Sequence, residues 1–176
     1  NVANAKLYFN GSLKIKEHYK RSLYISAARA HLFNLVLSQR VEEKNWNTYT
    51  SGDVMSLDGS SASFKPESWD KNLADRLNKK DIHPSGPMWG VGELKTEDLS
   101  EALEKEVAST EHELKLGLEN VGLQQERRAL RSMPENLSYK VENDTTIVLD
   151  FSLSKGAYAT SFLRELVKLE RQVYAK

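Results

Sequence analysis

The sequence predicts an α+β protein of mixed α/β character, with helices packed on short β-hairpins. Three observations lead there. The stretch from Lys20 to Glu43 has no Gly or Pro and carries Ile25, Ala28, Leu32, Leu35 and Val36 at helical spacing. Two other segments alternate apolar and polar residues on either side of a turn pair, as hairpins do. The 176 residues, 39% of them hydrophobic, suffice for one ordinary domain or two small interlocked ones.

Taken in order, Asn1 to Phe9 reads as a short helix stopped by Asn10-Gly11. The long helix from Lys20 follows, with Ser22, Arg29 and Arg40 sharing the face opposite its apolar row. Gly52 to Phe64 reads as a hairpin turning at Asp58-Gly59, a favoured type I′ pair. Pro66 to Asn78 reads as a helix with Pro in its first turn. His83 to Gly92, with Pro84, Pro87 and Trp89 between glycines, reads as a rigid loop. Thr96 to Leu118 reads as one helix with Thr96 as N-cap and acidic residues in its first turn. Arg127 to Met133 has the length of a strand. Leu137, Tyr139 and Val141, then Ile147, Leu149, Phe151 and Leu153, form a second hairpin turning at Asn143-Asp144. Gly156 opens a last helix with Phe162, Leu163, Leu166, Val167, Leu169 and Val173 on its apolar side.

Twenty-five Lys and Arg balance twenty-five Asp and Glu, so whole-chain charge argues against a dedicated nucleic-acid clamp. The balance is uneven along the chain. Residues 1–44 hold 8 basic and 3 acidic side chains, residues 45–120 hold 8 and 15, and residues 121–176 hold 9 and 7. An acidic middle between basic ends is the pattern of one domain inserted into another. Zero Cys excludes disulfides, thiol catalysis and Cys-type zinc sites. No apolar run approaches 18 residues and no signal-peptide pattern opens the chain, so the expectation is a cytoplasmic protein with no membrane partner. Residue 1 is Asn, which fits a piece of something longer.

Several motifs fail on context. Asn78-Lys79-Lys80-Asp81 fits N-K-x-D, but no Gly-Lys dipeptide exists to cradle phosphates, so it reads as a solvated helix end. Ser152-Leu153-Ser154-Lys155 fits S-x-x-K without its companion motifs. Gly90-Val91-Gly92 lacks the third Gly of a dinucleotide site. His18, His31, His83 and His112 show no ligand spacing, and no metal or cofactor is expected. Two segments carry more. In a strand, Arg127 and Arg131 point to one face and Arg128 to the other, two guanidinium forks suited to phosphate oxygens or a buried carboxylate, with surface ion pairs as the plain alternative. Ser154 to Ser161 joins a strand to a helix, where Gly156 lets backbone approach closely, free N–H groups attract anions and Tyr158 offers a ring for stacking. Arg164, Lys168 and Arg171 follow as a basic stripe.

Arg21-Ser22-Leu23-Tyr24-Ile25-Ser26-Ala27-Ala28-Arg29 with Leu32-Phe33-Asn34 resembles the corresponding stretch of the TruD family of tRNA pseudouridine synthases. So does Gly156-Ala157-Tyr158-Ala159-Thr160-Ser161 with Leu163-Arg164-Glu165-Leu166. Between them, Gly52-Asp53-Val54, Asp81-Ile82-His83-Pro84, Gly86-Pro87-Met88-Trp89-Gly90 and Gln125 to Arg131 occur in the family's order, so the resemblance covers nearly the whole chain. It implies isomerisation of a tRNA uridine, position 13 in bacterial members, to pseudouridine by a catalytic Asp, without cofactor or metal. The family's catalytic motif, roughly Gly-x-Lys-Asp-x-x-Ala, is not matched. The only Lys-Asp here is Lys80-Asp81, with Asn78 in place of Gly and Pro84 in place of Ala. The aromatic Asn-Tyr-Phe-Gly motif is absent as well.

The resemblance therefore implies the C-terminal part of such an enzyme. Residues 1–19 connect to the catalytic domain, 20–135 are the inserted TRUD domain, and 136–176 return to the catalytic domain as a hairpin and helix. The chain is then expected to bind tRNA and form one cleft wall while the missing N-terminal part supplies the nucleophile. Arg127, Arg128, Arg131, Lys155, Gly156, Tyr158 and Arg164 are the expected RNA-binding residues, and Arg164 or Arg128 is placed to lower the pKa of the incoming Asp. The alternative is a non-catalytic RNA-binding module of the same fold. Oligomeric state is left open.

Overall fold

α1 (Val2–Phe9) ends at Asn10 and at Gly11, whose φ of +80° turns the chain back. α2 (His18–Glu42) is a 25-residue helix and the axis of the first unit, Asn1–Arg131. The computed structural model describes residues 1–154 and 157–168. Ala28, Leu32 and Val36 of the predicted row are buried, Ile25 and Leu35 are half-buried, and Phe33, outside that row, is buried as well. α1, α4 (Asp98–Thr110) and α5 (His112–Asn120) pack against it. Ala5, Ala28, Leu32, Trp89, Ala108, Leu114 and Leu118 form one core. Each large aliphatic side chain there contributes roughly 1.5–3 kcal/mol through burial. Where α1 crosses α5, the Phe9 ring lies on Gly117, so close that a Cβ on residue 117 would stand 2.1 Å from Phe9 Cγ.

The helix expected over 96–118 is two helices. The chain bends at Glu111, with φ −112° and ψ 47°, which lets α5 turn onto α1. Glu111 is held at that corner by Lys6 at 2.8 Å and His31 at 3.2 Å. Thr96 is not the N-cap. Glu97 occupies that position, while Thr96 is buried and donates its hydroxyl to Glu104 at 3.0 Å.

β1 (Met55–Leu57), β2 (Ser63–Phe64), β3 (Ile82–Met88) and β4 (Glu126–Ala129) form an antiparallel sheet in the order β2-β1-β3-β4. The first hairpin exists, but Leu57 N–H donates to Ala62 O, leaving a four-residue connection rather than a two-residue type I′ turn. α3 (Lys71–Lys79) starts later than the proline suggests, because Asp70 accepts from Leu73 N–H at 2.8 Å and caps it. Lys79-Lys80-Asp81 is the end of that helix, with Lys80 left-handed at φ 70°.

The larger correction is residues 83–88, part of the stretch 83–92 expected as a loop and found in the inner strand β3, which is buried along nearly its whole length. β1 pairs only with residues 82–84 and β4 with 85–88, so each proline removes at most one ladder bond. Ile82 joins a second core with Met55 and Leu77, bordered by Tyr49, Phe64, Trp69 and Leu73. Gly86 meets Phe33 and Leu130, while His83 and Ser85 alternate away from it towards Arg131 and Arg127.

The second unit, Ser132–Lys176, holds the antiparallel hairpin β5 (Glu135–Asn143) and β6 (Thr146–Ser152) and the helix α6 (Ala159–Leu166). Tyr139 pairs with Leu149 and Val141 with Ile147, as the alternation predicts. Phe151 and Phe162 meet edge-to-face at 4.8 Å, tying α6 to the hairpin. None of the described residues of this unit is buried. Among the described residues, no helix is long and apolar enough to cross a membrane.

Candidate nucleic-acid interface

The arginines at 127, 128 and 131 divide by side. Arg127 donates to both Glu104 oxygens, at 2.8 and 2.9 Å, and to the Ser85 hydroxyl at 3.0 Å. Its side chain is 4% exposed, so the guanidinium is occupied inside the unit rather than offered to a phosphate. Burial pushes the Glu104 carboxyl up, with Arg127 and Thr96 opposing. Arg131 is also buried, donating to His83 Nδ1 at 2.6 Å and to the carbonyls of Leu77 and Ile82. Because a guanidinium only donates, His83 Nδ1 accepts, and Nε2–H donates to Asp58 at 2.8 Å. Burial pulls Arg131 below its usual value, Asp58 partly restoring it. The guanidinium groups of Arg127 and Arg131 are thus occupied inside the first unit, and Arg128 between them reaches the surface. It is half-buried, with its guanidinium carbon 5.4 Å from the Phe33 ring centroid and no carboxylate partner among the described residues.

The arginines of α2 are equally structural. Arg29 binds three carbonyls, those of Met88, Trp89 and Gln124, and the Glu126 carboxylate, joining the end of β3 to the start of β4. Arg40 is 2% exposed and forms a bidentate pair with Asp53 at 2.6 and 3.0 Å. Asp53 accepts further from Ser100 Oγ and Thr50 N–H. The face of α2 opposite its apolar row therefore carries two anchoring arginines. Their partners are carbonyls and polar residues at strand ends and in irregular segments, which leave no periodic mark in a sequence.

Among the other expected residues, Tyr158 is 70% exposed at the N-cap of α6. Arg164 is exposed in its last turn, without an ion-pair partner among the described residues. Lys155, Gly156 and Arg171 lie outside the described residues. Arg128 belongs to the first unit and Tyr158 and Arg164 to the second.

Asp53, Asp81 and Asp150 differ in setting. Asp53 is 1% exposed, with both oxygens taken by Arg40 and further bonds from Ser100 and Thr50. Asp81 is exposed in the turn after α3, and Asp150 is exposed on the hairpin.

A family profile described as tRNA pseudouridine synthase D (TruD) matches residues 3–166. The chain belongs to this family. Similar proteins are the tRNA pseudouridine synthase D of Xanthomonas euvesicatoria pv. vesicatoria (strain 85-10) and that of Hydrogenovibrio crunogenus (strain DSM 25203 / XCL-2). The first is 48% identical over 149 residues, 84% of this chain and 40% of that protein. The second is 41% identical over 172 residues, 97% of this chain and 49% of that protein. The chain spans half or less of the length of these relatives. A crystal structure described as tRNA pseudouridine synthase D (TruD) from Methanosarcina mazei shares the fold, with a TM-score of 0.62 at 20% identity over 82% of this chain and 37% of that one.

Proposed function

We propose that this chain is the substrate-gripping part of a tRNA pseudouridine synthase, an isomerase that converts a tRNA uridine, position 13 in bacterial family members, to pseudouridine. The observation that carries the reading is family membership over nearly the whole chain, combined with a sequence whose single Lys-Asp pair, Lys80-Asp81, ends a surface helix. In this reading the nucleophilic Asp comes from a separate N-terminal part of the same protein. Residues 1–19 connect the parts, 20–135 form the inserted domain and 136–176 return to the catalytic domain. Chemistry on a stacked base requires extruding it, so stacking and phosphate contacts matter as much as the carboxylate. Arg128, Tyr158 and Arg164 supply those contacts from the surface, and Lys155 and Gly156 join them on sequence alone. Arg127 and Arg131 act one layer below, fixing the strand that presents Arg128. A cytoplasmic location accompanies the tRNA substrate.

Tritium release from 5-³H-uridine tRNA tests this. The 176-residue chain alone releases none, and addition of the N-terminal half of a family member restores release. Release by the chain alone refutes the missing-nucleophile reading. Salt-dependent tRNA binding with no release even after that addition favours a non-catalytic RNA-binding module.

A further inference from the structure

Beside the start of α2 lies a groove of about 360 Å³ that no role above uses. Tyr8 of α1, His18, Arg21, Ser22 and Ile25 of α2, and Val121 after α5 line it. We propose that this groove holds one nucleotide of single-stranded or loop RNA, with Arg21 on its phosphate and Tyr8 against its base. The inference rests on the reading of this chain as an RNA-gripping part and adds Arg21 and Tyr8 to the expected RNA contacts.

Arg21 carries the argument. Arg29, Arg40, Arg127 and Arg131 each meet a carboxylate, a carbonyl or a histidine ring inside the first unit. Arg21 is half-buried and lines the groove, and its guanidinium has no hydrogen-bond or ion-pair partner among the described residues. A partly desolvated guanidinium fork without a partner is matched to a planar or tetrahedral oxyanion. The nearest acidic residue in sequence, Glu17, is already neutralised by Lys20 at 2.9 Å. The segment entering α2 folds back on α1, with Leu13 N–H on Leu7 O at 2.8 Å, and carries exposed Lys14 and Lys16.

The rest of the lining selects the class of anion. Tyr8 offers a ring, Ile25 and Val121 an apolar floor, and Ser22 and His18 polar groups. A ring beside a cation is how single-stranded nucleic acid is held, since every base has a face to stack and every nucleotide a phosphate. The volume lies within the range of small-ligand pockets, roughly 300–1,000 Å³, and suits one base with its phosphate. An acidic peptide would use the cation and leave the ring unmatched. Phe33, where Arg128 lies, is twelve residues along α2 from Arg21, about 18 Å at 1.5 Å per residue. The groove and Arg128 are thus separate points of grip on one unit.

Fluorescence anisotropy with a labelled, unmodified tRNA transcript, and with a poly-glutamate peptide as the competing class, tests the proposal on the 176-residue chain. Arg21→Gln is expected to weaken tRNA binding about tenfold or more and to lower the salt slope by about one. Tyr8→Leu keeps the charge and the apolar bulk, and is expected to weaken binding severalfold with the salt slope unchanged. Lys71→Gln, an equal charge change at an exposed position of α3, leaves affinity near wild type. Arg21→Lys serves where Arg21→Gln does not fold, with a smaller loss expected from the missing fork. If tRNA binds and the groove variants match Lys71→Gln, the groove is refuted while the RNA-gripping reading stands. If poly-glutamate binds as tightly as tRNA and loses as much on Arg21→Gln, the nucleotide assignment is refuted. If the wild-type chain does not bind tRNA, both readings fall.

Discussion

At the scale of single residues, three arginines within five positions have different tasks, and burial decides which. Arg127 and Glu104 form a bidentate pair with both side chains under 5% exposed. Removing one member of such a pair leaves an uncompensated buried charge, whereas replacing both by apolar residues removes the penalty together with the attraction. Arg127→Leu is therefore expected to destabilise the protein by about 3–5 kcal/mol. The double variant Arg127→Leu with Glu104→Leu should lose markedly less than the sum of the two single changes. Urea midpoints for the four proteins of this cycle measure it, and strict additivity would show that the pair is uncoupled. Arg128→Gln, at the surface on Phe33, should cost less than about 1 kcal/mol of stability while weakening tRNA binding. The period-2 alternation placed Arg127 and Arg128 on opposite sides from sequence. It was silent on which side was interior, because Glu104 and Ser85 lie 23 and 42 positions away.

At the scale of elements, the long helix and both hairpins were legible because each is governed by its own apolar period. The central strand was not. Ile82-His83-Pro84-Ser85-Gly86-Pro87-Met88 has little strand propensity, and its place is set by neighbours: β1 covers one end, β4 the other, and Phe33 and Leu130 close over Gly86. The break at Glu111 was hidden for a related reason, since acidic and apolar residues continue at helical spacing through it, and contact with α1 decides the bend. Two predictions belong to that contact. Gly117→Ala places a methyl inside the Phe9 ring and is expected to cost about 1–3 kcal/mol, with Phe9→Leu partly relieving it. The hydrogen bond from Lys6 holds Glu111 below its ordinary value of 4.5, with burial opposing and His31 assisting. A carboxylate lowered in the folded state adds stability above its unfolded value, and that stability is lost as pH falls through the folded one. Glu111→Gln should therefore flatten the acid side of the stability–pH curve below about pH 4.5, by no more than about 1 kcal/mol for a pair this close to solvent.

At the scale of the whole molecule, the two units differ in what holds them. The first has two apolar cores and a set of buried ion pairs. The second has a nine-residue and a seven-residue strand, one eight-residue helix, and no buried residue among those described. Tyr139 is 74% exposed, Ile147 61% and Val141 59%, although all three sit on paired strands at alternating positions that normally face a core. An isolated hairpin is marginal in water, and a short helix that meets it through Phe162 on Phe151 adds little. Amide exchange in this chain should therefore be fast across Glu135–Ser152 and slow across α2 and β3. The protection of the hairpin should rise when the N-terminal half of a family member is added, since the same apolar alternation that identifies the strands also requires a covering layer. Protection of the hairpin equal to that of β3 in the chain alone would mean that the second unit is stable by itself. The proposed division of labour, one part gripping RNA and another carrying the nucleophile, would then have to stand without a shared core. The charge distribution bears on the same point. The excess of carboxylates lies in residues 45–120, whereas Arg21, Arg128 and Arg164, which the proposals place on RNA and which have no ion-pair partner among the described residues, stand before and after it. In the proposed reading the contacts to RNA are thus drawn from both ends of the chain, and neutrality of the whole does not oppose them.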